Sequence, residues 1–132
     1  MVIVDSNIVL DLWDRDPVWS SWSAQQLRLL SPLNDLVINA VIYAEISARF
    51  SSQANLDTAI GELGLSMLEI PRKAAFLAGK AFQDYRRQGG KKNHVLPDFF
   101  IGAHAAALRC RILTRDTRPY ATYFPTVPLI AP

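Results

Sequence analysis

Apolar residues follow two rhythms along this chain. Val2 to Val4 is a β-branched triplet, and Leu36 to Ile38 and Ile112 to Thr114 are similar short runs. Such runs, wholly or nearly all apolar, mark short buried strands. Between them the apolar spacing lengthens to three and four residues, which predicts helices with one inward face. Asn7 to Trp13 carries Ile8, Val9, Leu12 and Trp13. After a break at Asp14 to Pro17, Val18 to Leu30 carries Trp19, Trp22, Leu27 and Leu30, closed by Ser31-Pro32. Ala40 to Phe50 repeats Ile42, Ile46 and Phe50, with Asn39 placed as its cap. A polar linker over Ser51 to Asn55, a short helix from Leu56 to Leu63 and a short strand from Met67 to Ile70 come next. The longest stripe, Ala74, Leu77, Ala78, Ala81, Phe82 and Tyr85, predicts a helix from Pro71 to about Gln88, ended by Gly89-Gly90. Lys91 to Val95 is a basic loop. Pro97 then opens a helix running to Leu108, whose Gly102, Ala103, Ala105, Ala106 and Ala107 let another element approach closely. Pro119, Pro125 and Pro128 confine the tail to short turns and one edge strand around Val127 to Ile130. Strands alternating with helices predict an α/β domain on a parallel sheet with right-handed crossovers.

Size and composition narrow this picture only a little. The 132 residues, half of them hydrophobic, suit one domain over residues 1–132 that needs no disulfide or structural metal to bury a core. Cys110 is the only cysteine, so it has no partner within the chain. With no signal-peptide pattern and no long apolar run, the chain is expected to be soluble and cytoplasmic. A formal charge of +2 permits a polyanionic partner without demanding one.

Acids at the strand ends change the picture more. Asp5 falls where the first strand gives way to a helix, the edge that lines the ligand crevice of an open parallel sheet. For one acid alone, helix capping is the commoner explanation. The arrangement recurs, however: Glu45 lies early in the helix after the second strand, Asp98 in the first turn of its helix, and Asp116 just past the Ile112 to Thr114 strand. Carboxylates converging on one edge repel, so a cation must offset them or their pKa values must rise. Oxygen donors without Cys or His at metal-binding spacing point to a hard ion, Mg2+ or Mn2+. A water activated by such an ion can attack a phosphodiester, so hydrolysis of that bond is the chemistry expected.

Four segments carry a resemblance: Val-Asp-Ser-Asn at 4 to 7, Tyr-Ala-Glu-Ile at 43 to 46, Leu-Pro-Asp-Phe-Phe-Ile-Gly-Ala-His-Ala at 96 to 105, and Leu-Thr-Arg-Asp at 113 to 116. In order, spacing and acidic positions the chain resembles the PIN domain, and within it the VapC-type toxins of toxin-antitoxin modules. The resemblance implies a three-layer α/β/α fold with a short, mainly parallel sheet. It also implies a metal-dependent endoribonuclease, a homodimer, and neutralisation by a VapB-like antitoxin whose tail covers the site. On this resemblance Asp5, Glu45, Asp98 and Asp116 are the acidic quartet, and Asn7 and Thr114 are polar helpers that orient carboxylates or water. Arg109-Cys110-Arg111 stands where many relatives carry a glycine, a departure that affects the turn alone.

The remaining polar residues carry weaker signals. Arg86, Arg87, Lys91, Lys92 and Arg115 flank the acids and fit equally a cation-favouring helix end and contacts to RNA phosphates; Lys91, Lys92 and Arg115 are the RNA-binding candidates. His104 falls on a different helical face from Asp98, and His94 in a loop, so neither is expected as a general base. Asp11, within the first helix, is expected to face solvent. Trp13, Trp19 and Trp22 fit core packing between neighbouring helices better than a partner surface. A phosphoacceptor receiver domain would want paired acids after the first strand and a late lysine, and a haloacid-dehalogenase-like phosphatase an Asp where Asn7 stands. Neither pattern is present. The alternative from another class is a PIN-like protein-binding module without catalysis.

Overall fold

The computed structural model describes residues 1–92 and 95–132. Five strands, β1 (Val2–Val4), β2 (Leu36–Ile38), β3 (Ser66–Met67), β4 (Arg111–Leu113) and β5 (Leu129–Ile130), form one sheet in the order β3-β2-β1-β4-β5. Every pairing is parallel, with Ile3 between Val37 and Ile112. The apolar triplets are buried because helices flank the sheet: α1 (Ser6–Trp13), α2 (Ser20–Leu30), α3 (Ala40–Ile46), α4 (Gln53–Glu62), α5 (Arg72–Arg87), α6 (Leu96–Leu108) and α7 (Arg118–Ala121). The chain leaves β1 toward β2 and β3, then returns to lay β4 on β1's other side. That reversal makes a topological switch point, the place where open parallel sheets bind ligands. Asp5 follows β1 there and Thr114 to Asp116 follow β4.

Several boundaries differ from the expected ones, each for a local reason. Asp16 Oδ1 accepts from the N–H groups of Val18 and Trp19, at 2.9 and 2.8 Å, and α2 starts only at Ser20. Asn39 caps α3 as expected, accepting from Ile42 N–H at 3.0 Å, but the α-helix stops at Ile46 and tightens into a 3-10 turn over Ser47–Arg49. There the Ser47 hydroxyl donates to the Ala44 carbonyl at 2.7 Å, a competing local bond that disfavours further α-helix. The supposed linker before α4 is partly helical, because Ser52 accepts from Asn55 N–H and starts the helix at Gln53. β3 ends at Met67, as β2 offers no residue beyond Ile38 for a longer ladder. The tail contains a helical turn, α7, that the prolines alone do not reveal.

The expectation of close packing on α6 holds at Gly102. A Cβ there would come within 2.3 Å of the Phe124 ring, so the tail lies directly on the helix that carries Asp98. Phe99 joins the same seam, with Tyr123 and Phe124 edge-on to it at 5.3 and 6.1 Å. Trp13, Trp19 and Trp22 are half-buried; Trp13 packs edge-on against Phe50 at 5.0 Å and Trp19 against Trp22 at 6.3 Å. Among the described residues no helix is long and apolar enough to cross a membrane.

Candidate active site

Asp5 is the centre of the strand-end edge. Its backbone N–H continues the sheet by donating to the Leu113 carbonyl at 2.9 Å, which fixes where the side chain begins. That side chain is only 5% exposed and serves as the N-cap of α1, accepting from Ser6 N–H at 2.8 Å through Oδ1. Oδ2 accepts from Tyr120 at 2.7 Å, from Thr114 at 2.9 Å and from the Asn7 amide at 3.3 Å. Asn7 also donates to Thr114 Oγ1 at 3.1 Å and accepts from Arg115 N–H at 3.2 Å, tying the start of α1 to the loop after β4. Burial raises the pKa of Asp5, and the hydroxyls of Tyr120 and Thr114 and the N–H of Ser6 pull the other way. Among the described residues no cation pairs with it.

Glu45 and Asp98 stand around this carboxylate on α3 and the first turn of α6. Glu45 is pushed up to about 6, first by desolvation, then by the Asp5 charge, with Asp98 adding a smaller push against the Ser6 hydrogen bond. Its side chain keeps an open face to solvent, so the repulsion from Asp5 is partly screened. Asp98, half-buried, is also pushed up to about 6 by desolvation and by the charges of Asp5 and Asp116. Asp116 differs: Arg118 holds it below the usual carboxylate range through a bidentate pair at 2.8 and 2.8 Å.

The fold therefore brings all four expected acids to one edge, with Asn7 and Thr114 against Asp5. It does not close them into a single coordination shell. Among the described residues no three His, Cys, Asp or Glu side chains stand together closely enough to grip a metal ion. The donor chemistry nevertheless suits a hard cation: all oxygen, with two carboxylates destabilised by a third buried one that lacks a counter-ion.

Asp11 corrects the sequence reading. It is 3% exposed rather than solvent-facing, and it is not among the acids around Asp5. Its carboxylate accepts from Arg115 Nε at 2.9 and 3.1 Å and from the Ser23 hydroxyl at 3.1 Å, while the Arg115 guanidinium lies 5.9 Å over the Trp19 ring. Arg115, expected beside RNA, thus commits Nε to the protein, and a third of its side chain stays open. Lys91 and Lys92 are exposed. His104 is buried, joined to Asn39 at 3.1 Å through Nδ1, and burial lowers its pKa, so it stays neutral and apart from the acids. His94 lies outside the described residues.

Comparison with known proteins agrees with this architecture. The model of the PIN domain family matches residues 2–125. The chain belongs to the PIN domain family. Solved structures with a similar fold include VapBC2 from Rickettsia felis bound to a promoter DNA fragment, at TM-score 0.75 and 18% identity over 99% of this chain and 98% of that one. VapBC-1 from nontypeable Haemophilus influenzae aligns at TM-score 0.72 and 22% identity, again covering 99% and 98%. FitAcB from Neisseria gonorrhoeae aligns at TM-score 0.63 and 18% identity, covering 98% and 96%. A search of curated protein sequences finds no match.

Sequence reasoning missed three residues that shape this PIN domain's site. Ser6 stands inside the Val-Asp-Ser-Asn segment with nothing local to single it out. Arg118 is distinguished from other surface arginines only by standing two positions after Asp116. Tyr120 sits in a four-residue helix behind Pro119, too short for any periodicity to show its inward face.

Proposed function

We propose that this PIN domain is a Mg2+- or Mn2+-dependent endoribonuclease and the toxin of a VapBC-type toxin-antitoxin module, neutralised by a VapB-like antitoxin and active as a homodimer. The observation that carries the reading is the buried Asp5 carboxylate, which faces Glu45 and Asp98 with only neutral donors around it. Such a group is costly unless a cation completes it. The fold shared with VapBC complexes supports the toxin role.

In this reading Asp5, Glu45 and Asp98 hold the cation, and Asp116 joins them if its pair with Arg118 opens. A divalent ion held there would supply water activated for attack on the phosphodiester and positive charge against that developing on the phosphorus oxygens. Asn7 and Thr114 hold Asp5 in one orientation, so that little reorganisation accompanies the reaction. The exposed Lys91 and Lys92, and the open part of Arg115, attract the RNA backbone. One observation favours the rival reading, a PIN-like protein-binding module without catalysis: Asp116 is already paired with Arg118, and the acids are not gathered into a ligand cluster.

The two readings separate on purified protein with single-stranded RNA. Cleavage is expected with Mg2+ or Mn2+, and it should stop with EDTA and in Asp98→Asn. Cleavage that survives both would remove the acids from the chemistry, and absence of cleavage under any divalent ion would favour the binding module. Growth arrest on expression, relieved by co-expressing the neighbouring open reading frame, tests the toxin role.

A further inference from the structure

The two oxygens of Asp5 are treated differently, and a tail residue makes the difference. Oδ2 accepts from three side chains, Tyr120, Thr114 and Asn7, more donors than its two lone pairs can serve well. Among the described residues Oδ1 accepts from Ser6 alone, through the N–H at 2.8 Å and a long hydroxyl contact at 3.4 Å. The shortest of these bonds comes from Tyr120, whose side chain is fully buried and whose hydroxyl has Asp5 as its one partner among the described residues. Nothing in the resemblance assigns this tyrosine a part.

We infer that Tyr120 is a positioning residue of the acidic site: its hydroxyl, with Thr114, engages Asp5 Oδ2 and leaves Oδ1 as the oxygen offered to a divalent cation. The inference rests on the metal-dependent reading above. It follows from geometry that a carboxylate held at one oxygen by rigid donors cannot rotate to share both. A phenol on a helical turn packed under α6 is such a donor, because it keeps little freedom of its own. A merely structural tyrosine would matter to folding and leave metal affinity alone.

Tyr120→Phe removes the hydroxyl and keeps the ring. Mn2+ binding to the protein without RNA, followed by calorimetry, should weaken about tenfold, the usual cost of losing an outer partner of a metal-binding carboxylate. Turnover of RNA should fall, while KM for RNA stays put. Wild-type Mn2+ affinity and turnover in a folded Tyr120→Phe protein would overturn the inference and leave the nuclease reading standing. No Mn2+ binding by the wild-type protein would overturn both. If Tyr120→Phe fails to fold, 3-fluorotyrosine at position 120 keeps the bond and alters its strength; Mn2+ affinity should then shift with little change in Tm, and an unmoved affinity would equally overturn the inference.

Discussion

Asp5 and Asp11 are both buried carboxylates attached to α1, one at its N-cap and one in its last turn, and they have opposite surroundings. Asp11 meets a guanidinium and a hydroxyl, so its charge is matched inside the protein and it acts as a strut between α1, α2 and the loop after β4. Asp5 meets hydroxyls, amides and other acids, so its charge is solvated but unmatched. The contrast separates two uses of a buried acid. A matched one holds the fold together, whereas an unmatched one costs stability and, on the reading proposed above, is kept for a cation.

The strongest way to break this contrast is to exchange the two effects. Asp5→Asn should abolish RNA cleavage while Tm holds or rises, since the substitution removes repulsion on Glu45 and Asp98. Asp11→Ala should strand Arg115 without its partner and cost about 3 kcal/mol of stability, the lower end for a broken buried pair because Arg115 is partly open. Urea unfolding of both variants decides the matter; a larger loss in Asp5→Asn than in Asp11→Ala would reverse the assignment. Of similar size is the effect of the ion itself. Mg2+ at a hundredfold excess over its Kd should stabilise the wild type by about 2.7 kcal/mol and leave Asp5→Asn unmoved. Equal stabilisation of both proteins would place the bound ion elsewhere.

Titration gives the smallest effect. Glu45 and Asp98, each pushed up to about 6, bind protons more readily folded than unfolded, so the stability they contribute falls as pH rises from the ordinary carboxylate range through about 6. His104 has the opposite sign: with its pKa lowered by burial, it favours folding as pH rises through the ordinary histidine range. Comparing wild type with Glu45→Gln/Asp98→Asn in metal-free buffer isolates the acids. From about pH 5 to about pH 7, Tm of the double variant should climb relative to wild type, by only a few degrees given the solvent open to Glu45. Parallel curves would mean that neither burial nor the Asp5 charge raises the two acids.

What the sequence made legible and what it hid divide along the same line. The triplets at Val2 and Leu36, the caps at Asp5 and Asn39 and the acids after the strands were readable because each is a local pattern with a local cause. Asp11 was misread because a lone acid in an amphipathic helix looks solvated, and its partner Arg115 lies far along the chain. Tyr120 was invisible for a related reason: its meaning depends on Asp5, which only the completed sheet brings to it. The pair between Asp116 and Arg118 is local, yet nothing in the pattern told it apart from an ordinary surface salt bridge.

Gly102 lies on α6 against the tail, one turn after Asp98, and has no side chain of its own to offer the acids. Any larger residue there must displace the Phe124 ring, which is buried and has nowhere to go. Phe124 N–H donates to the Tyr120 carbonyl at 3.0 Å, so the displacement would reach the phenol that holds Asp5. A saturation scan for loss of the proposed RNA cleavage should therefore register an intolerant position at 102 with no chemistry of its own, the shadow cast on one helix by a hydroxyl on another.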